Sequence, residues 1–196
     1  VLLAQTNGSR YVGTSVRVGL QFGGLLSGLN EQGGNPADRT GAIAGACVIF
    51  GFAPYLGNQF EVSLVSKGAS DVSITTYPGP TYYHADELEL RYLQFAFLGR
   101  LGGITMSPDK RSSVVPRVYA GPAAAFLLSE KWYGMDGPLD LDLEATDISL
   151  IIGAGADIRL GDRLQLTVDS RFDYGLREVA GSVKNRSSIF MVGLTY

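Results

Sequence analysis

Apolar and polar positions alternate with a period of two along almost the whole chain, the pattern of strands that bury or expose one apolar face. The run 188–196 shows it plainly: Phe190, Val192, Leu194 and Tyr196 fall on one face, and Ile189, Met191, Gly193 and Thr195 on the other. Seven similar runs precede it. The first, 10–22, sets Val12, Thr14, Val16, Val18, Leu20 and Phe22 against Gly13, Ser15, Arg17, Gly19 and Gln21. The second, 41–52, carries Ala42, Ala44, Ala46, Val48, Phe50 and Phe52 opposite Gly41, Gly45 and Gly51. In the third, 59–67, Phe60, Val62 and Leu64 oppose Glu61, Ser63 and Lys67.

Two strands break the simple rule. In the fourth, 87–101, Leu88 and Leu90 alternate with Glu89 and Arg91, after which Leu93, Phe95 and Phe97 take the opposite parity. Either a β-bulge near Arg91–Tyr92 or a strand that leaves the bilayer there accounts for the change. The fifth, 114–128, contains Pro116 and Pro122, which cannot donate to a ladder and predict a bulge or a locally open pair. The sixth, 147–160, is regular: Ile148, Leu150, Ile152, Ala154, Ala156, Ile158 and Leu160 oppose Asp147, Ser149, Ile151, Gly153, Gly155, Asp157 and Arg159. After a tight Gly161-Asp162 turn, the seventh, 164–173, sets Leu164, Leu166, Val168 and Phe172 against Gln165, Thr167, Asp169, Arg171 and Asp173.

Eight strands, mostly long enough for the roughly 9–11 residues that cross a bilayer, predict an all-β fold: an eight-stranded antiparallel up-and-down transmembrane β-barrel. Links after strands two and six are short, the link after four is moderate, and those after one, three, five and seven are longer, with residues 24–39 as the first long loop. That asymmetry suits a bacterial outer-membrane barrel with both termini in the periplasm. Phe190, Val192, Leu194 and Tyr196, ending on an aromatic, resemble the C-terminal signal read by the barrel-assembly machinery during insertion. Residues 10–196 form the barrel domain. Residues 1–9 are a separate N-terminal segment, in which Val1-Leu-Leu-Ala-Gln5 resembles the tail of a secretory signal peptide, although Leu2 departs from its pattern.

Alternation alone does not say which face points inward; a soluble lipocalin-like carrier would put the apolar face inside. Two features favour the inverted arrangement. The polar face is rich in glycine, which suits a crowded eight-strand interior, and its charges nearly balance: Arg17, Glu61, Lys67, Asp157, Arg159, Asp169, Arg171 and Asp173. Brought together in a narrow lumen, these side chains pair and fill it as a polar network, leaving no wide pore.

Composition narrows the reading further. Gly at 26 residues, with ten Tyr and nine Phe against one Trp, favours closely spaced strands with aromatic rims over helices. No run of 18 apolar residues offers a transmembrane helix. A net charge of −3 gives no reason to expect a nucleic-acid partner. Cys47 is the one cysteine and His84 the one histidine, too few for a zinc site; no metal and no cofactor are expected. His84, in the polar loop Thr81-Tyr-Tyr-His-Ala-Asp-Glu87, has Asp86 nearby and offers the one general-base candidate, with no recognisable serine nucleophile beside it. Asp140-Leu-Asp-Leu-Asp-Leu-Glu144 reads as strand above the membrane, with a divalent-cation loop as the alternative. Tyr77, Tyr82, Tyr83, Trp132, Tyr133 and Tyr174 form one headgroup girdle, and Phe52, Tyr55 and Tyr196 the other.

Several segments resemble one family. Tyr92-Leu-Gln-Phe-Ala-Phe-Leu-Gly-Arg100 is similar to a Y-L-E-I-P-L-L-x-K strand, with Gln94 and Ala96 in place of Glu and Pro. Arg117-Val-Tyr-Ala-Gly-Pro122 is similar to Y-V-G-A-G-P, Gly153-Ala-Gly-Ala-Asp157 to G-x-G-x-D/E, and 166–175 to L-x-L-D-x-R-Y-x-Y-G. Glu61 with Lys67-Gly68 fits E-L-x-Y-x-x-K-G. These belong to the PorT-like outer-membrane β-barrel domain family of Bacteroidetes-type bacteria. The resemblance implies a non-enzymatic outer-membrane barrel, a structural or accessory subunit of an envelope complex, with some members serving type IX secretion. Its partners would be outer-membrane lipid and other envelope proteins. A lipid-modifying barrel enzyme using His84, or adhesion through the loops, are the alternatives.

Overall fold

The computed structural model describes residues 15–30, 37–53, 55–76, 81–102, 114–134, 145–160, 163–180 and 183–196. They form eight strands: β1 (Ser15–Asn30), β2 (Ala37–Ala53), β3 (Leu56–Thr76), β4 (Thr81–Gly102), β5 (Val114–Tyr133), β6 (Thr146–Arg159), β7 (Gln165–Ala180) and β8 (Val183–Thr195). Each pairs antiparallel with its neighbours in sequence, and β8 closes on β1. At the seam Val18 and Tyr196 exchange both backbone hydrogen bonds, at 3.0 and 2.8 Å. Closure leaves no open edge within the barrel wall, which a bilayer demands.

The register fixes the barrel's shape. Stepping from partner to partner, Val16 leads through Phe50, Asn58, Gly99, Ala120, Ile152, Phe172 and Ser188 back to β1 at Leu26, ten residues from the start. With about 3.3 Å per residue and about 4.8 Å between strands, that shear tilts the strands by about 41° and gives a backbone cylinder about 16 Å across. Such an interior holds packed side chains and little else.

The apolar face points outward. Val16, Val18, Leu20, Phe22, Phe60, Val62, Leu64, Ile152, Phe190 and Leu194 are all exposed, and rings pack edge to face across the outer surface, as in Phe50–Phe60 and Phe95–Phe126. A soluble protein does not display an apolar belt of this extent, so the lipocalin-like arrangement is excluded. The residues opposite, including Glu61, Lys67, Asp157, Asp169, Arg171 and Asp173, are buried inside. Cys47 is also buried on the inward side.

Several strands run further than alternation predicts. β1 continues to Asn30 and β2 begins at Ala37, so the expected 24–39 loop is mostly strand. β3 reaches Thr76 and β4 begins at Thr81, which places His84 in a strand, opposite Ser73, and not in a loop. The reason is that beyond the lipid the outer face no longer has to be apolar. The periodic signal fades while backbone pairing persists, and the links expected to be long after strands one, three and seven are largely strand.

The phase change in β4 has the same origin. Leu88, Leu90, Tyr92, Gln94, Ala96, Leu98 and Arg100 all point inward without interruption. Outward positions change from Phe97, Phe95 and Leu93 to Arg91 because the strand leaves the apolar band there. The register shift at Arg91/Tyr92 is real, but the extra residue lies in β5, between Leu127 and Ser129. That shift turns Trp132 inward against Leu88, so it is not part of the outer girdle expected for it. Pro116 and Pro122 both stay in register with β6, opposite Ala156 and Leu150. On the β4 side the ladder lapses between Ala96/Ala123 and Gly99/Ala120 without changing register, the locally open pair that Pro122 requires. Further along, β2 separates from β3 between Asp38 and Ile43. Ser27 of β1 bridges the gap, its hydroxyl donating to the Gly68 carbonyl (2.9 Å) and accepting from the Gly68 N–H (2.8 Å).

Candidate functional site

The inward side chains form three connected tiers, counted from the end of the barrel that carries Tyr55 and Tyr196 (the near end). In the first, Asp157 accepts from both Arg100 and Arg117, and Arg117 also reaches Asp169 at 2.5 Å. Gln59 accepts from Arg100 at 2.9 Å, and Arg17 binds Gln165 at 2.5 Å at the rim. In the second, Arg171 grips Glu61 through two nitrogens, at 2.6 and 3.1 Å, and lies over the Tyr119 ring at 5.2 Å. Gln59 donates to Glu61 at 2.6 Å, joining these two tiers. In the third, Lys67 donates to Asp173 at 2.8 Å, faces Asp147 at 3.8 Å and sits over the Tyr92 ring. Gln94 also donates to Asp173, and Asn185 to Asp147.

Local structure places these groups through parity alone. Each comes from an odd or even position of a strand whose opposite positions face lipid, so none can turn away without carrying an apolar neighbour inward. Among the described residues that face the lumen, the buried acids are Glu61, Asp147, Asp157, Asp169 and Asp173, and the buried bases Lys67, Arg100, Arg117 and Arg171. Half-buried Arg17 and Arg159 at the near rim add two further bases, so the charges nearly balance. Desolvating this many charges is tolerable only because each is answered by an opposite charge or an amide.

Seven of the eight residues expected in the network lie in it; the eighth, Arg159, is half-buried at the near rim beside Gln165 in the β6–β7 ladder. Arg100, Arg117, Asp147, Gln59, Gln94 and Asn185 were not anticipated. Asp147 and Gln94 carried the right parity in the sequence, whereas Arg117 lay in the strand whose facing the prolines obscured. The lumen is also less polar than its charges suggest: Ile43, Ile49, Val65, Leu98, Ile151 and Met191 are buried within it. Above the third tier Ala69, Leu88, Leu90, Tyr92 and Ala125 form an apolar cluster backed by Leu127 and Trp132. Ion pairs and this cluster together fill the bore.

Outside, just past the apolar band, Arg39 of β2 contacts Glu87, Glu89 (3.4 Å) and the Ser66 hydroxyl (3.3 Å), while Arg91 binds Glu89 at 2.7 Å. At the near end Arg163 donates to the Tyr196 hydroxyl at 2.9 Å. Among the described residues no three His, Cys, Asp or Glu side chains converge. The Asp140–Glu144 run, the Gly161-Asp162 turn and Tyr77 lie outside the described residues, as do residues 1–14.

A charge-filled bore inside an outward apolar belt is the structure of a lipid-embedded barrel, and the sequence agrees: residues 3–181 match the outer membrane protein β-barrel domain. The chain belongs to that family. Its place is the bacterial outer membrane. Among solved structures it is similar to Neisserial surface protein A, at 15% identity and a TM-score of 0.55, with 93% of this chain and 97% of that one covered. It is likewise similar to the outer membrane protein OprG from Pseudomonas aeruginosa, at 11% identity and a TM-score of 0.55, covering 92% and 94% of the two chains. At these identities the likeness is one of fold. Among curated proteins none is similar enough in sequence to match.

Proposed function

We propose that this barrel is a non-enzymatic accessory subunit of an envelope complex, of the PorT-like kind, that offers a rigid wall to other proteins and conducts nothing through its bore. One observation carries the reading. The interior is filled from the Arg100–Asp157–Arg117 tier to the Trp132 cluster, while the β3–β4 hairpin rises far beyond the lipid. The outward face turns polar at the paired residues Ser66 and Arg91, and from there each arm runs eleven residues to Thr76 and Thr81. At about 3.3 Å per residue and the tilt above, the hairpin stands about 27 Å past the apolar band. Among the described residues the other strands extend only a few residues beyond it. In this reading the near end is periplasmic, the hairpin projects from the cell surface, and a closed lumen leaves the walls as the working surface.

Purification in mild detergent from the native outer membrane, with mass spectrometry of what accompanies the barrel, tests the proposal. A stoichiometric envelope protein supports it; a barrel that always emerges alone sinks the subunit reading. Catalysis is tested separately. Replacing His84 with Ala leaves the lipid profile of the membrane unchanged if the barrel is not an enzyme, and an altered profile would reinstate lipid chemistry.

A further inference from the structure

A groove of about 830 Å³ crosses the outside of β2–β5 where the apolar band ends. Its two levels follow from the register. The lower row, Ala44↔Leu64↔Leu93↔Phe126, is apolar throughout, and the next outward row, Ser66↔Arg91↔Ser129, is polar throughout. The small side chains of Ala42 and Ala44 set the floor beside Leu64. Both flanks are bulged at this level: β2 carries one extra residue between Asp38 and Ile43, and β5 one between Leu127 and Ser129. Bulges re-aim side chains. With the first, Arg39 reaches across β3 to Glu87 and Glu89 on β4; with the second, exposed Leu128 joins the groove wall.

The charges at the upper level are arranged, not scattered. Glu89 lies outside the lumen, yet it is only 7% exposed. It sits against Arg39 at 3.4 Å and Arg91 at 2.7 Å, and accepts from the Ser66 hydroxyl at 3.3 Å. That contact holds Arg91 by its Nε, while 55% of the arginine side chain stays exposed. A guanidinium fixed at Nε presents its two terminal nitrogens as a fork, the geometry that matches two phosphate oxygens. Lys131, also exposed, stands directly across the ladder from Glu89, and Glu87 is bound to Arg39. In this sector of the outer face Arg39, Arg91 and Lys131 meet Glu87 and Glu89, which leaves one positive charge in excess.

We propose that this groove seats one membrane lipid with a phosphate headgroup, the phosphate on Arg91 and Lys131 and an acyl chain along Ala42 and Ala44. The polarity of the groove runs along the membrane normal in the order that a lipid's does, cations and hydroxyls above and hydrocarbon below. A free anion would leave the apolar half unused, and a headgroup without net negative charge would leave the surplus cation unanswered. The inference is independent of the accessory-subunit reading, which is tested on co-purifying protein.

Native mass spectrometry of the whole barrel, released from vesicles of equal parts phosphatidylcholine and phosphatidic acid with matched chains, tests it. The expected result is one phosphatidic acid kept per barrel in preference to phosphatidylcholine, with Arg91→Gln and Lys131→Gln each lowering that preference about fivefold. Ala44→Phe fills the floor on a face where apolar bulk is tolerated, and lowers lipid retention while the barrel remains heat-modifiable on gels. Millimolar inorganic phosphate leaves the bound lipid in place. Equal retention of the two lipids, a preference untouched by either cation substitution, or retention unchanged by Ala44→Phe overturns the proposal. Displacement by inorganic phosphate means that the anion binds without its chain, and a lipid-free barrel paired with a second copy means that protein covers the groove; both overturn it.

Discussion

Replacing Arg171 with Met removes the base that holds the middle of the lumen together. Glu61 is 4% exposed, and it accepts two hydrogen bonds from this guanidinium at 2.6 and 3.1 Å. The Gln59 amide at 2.6 Å remains, but an amide does not cancel a charge. Breaking a buried pair from one side costs about 3–5 kcal/mol, because the surviving ion stays desolvated. Loss of the Arg171 contact with the Tyr119 ring adds to that. For a urea m-value of about 2 kcal/mol/M, the midpoint of unfolding falls by about 1.5–2.5 M. Reversible unfolding from lipid vesicles, followed by the fluorescence of Trp132, the one tryptophan in the chain, measures it. The companion variant carrying Glu61→Met as well removes both charges at similar volume and returns most of the lost stability, since an apolar pair needs no compensation. If the single variant loses under about 1 kcal/mol, or the double variant is no better than the single, the lumen is wet enough to screen the pair and the sealed-bore reasoning fails.

Three further outcomes follow from the same geometry. Leu20→Arg, at an outward position near the middle of the apolar band, destabilises the folded barrel in vesicles by about 2–4 kcal/mol, and a neutral effect would mean this face does not meet lipid. A methyl group at Gly153 would come within 2.5 Å of the Tyr119 ring directly across the ladder, so Gly153→Ala costs about 1–3 kcal/mol, and Tyr119→Leu in the same chain relieves it. Cys47 is buried on the lumen side, so a water-soluble thiol reagent labels it only in urea; rapid labelling of the folded barrel would show an open bore.

Local alternation decided a great deal about this protein. A period of two needs only neighbouring residues to be read, so the eight strands, their two faces and the polar face that carries Arg17 to Asp173 were legible before any contact was known. The same signal misjudged strand length. It exists only where one face meets lipid, and it vanished at Ser66 and Arg91 although the β3–β4 ladder runs on to Thr76 and Thr81. What the tertiary structure alone decided is which side is the inside and which charges meet. Arg100 and Asp157 are 57 positions apart, and Glu61 and Arg171 are 110 apart; only the ten-residue shear of a closed barrel brings each pair to one level of the lumen. The inward turn of Trp132 likewise depends on one extra residue in β5 opposite Arg91 and Tyr92, a register set by strand pairing and invisible in β5 itself. Periodicity is a property of a segment, whereas register and closure are properties of the whole wall.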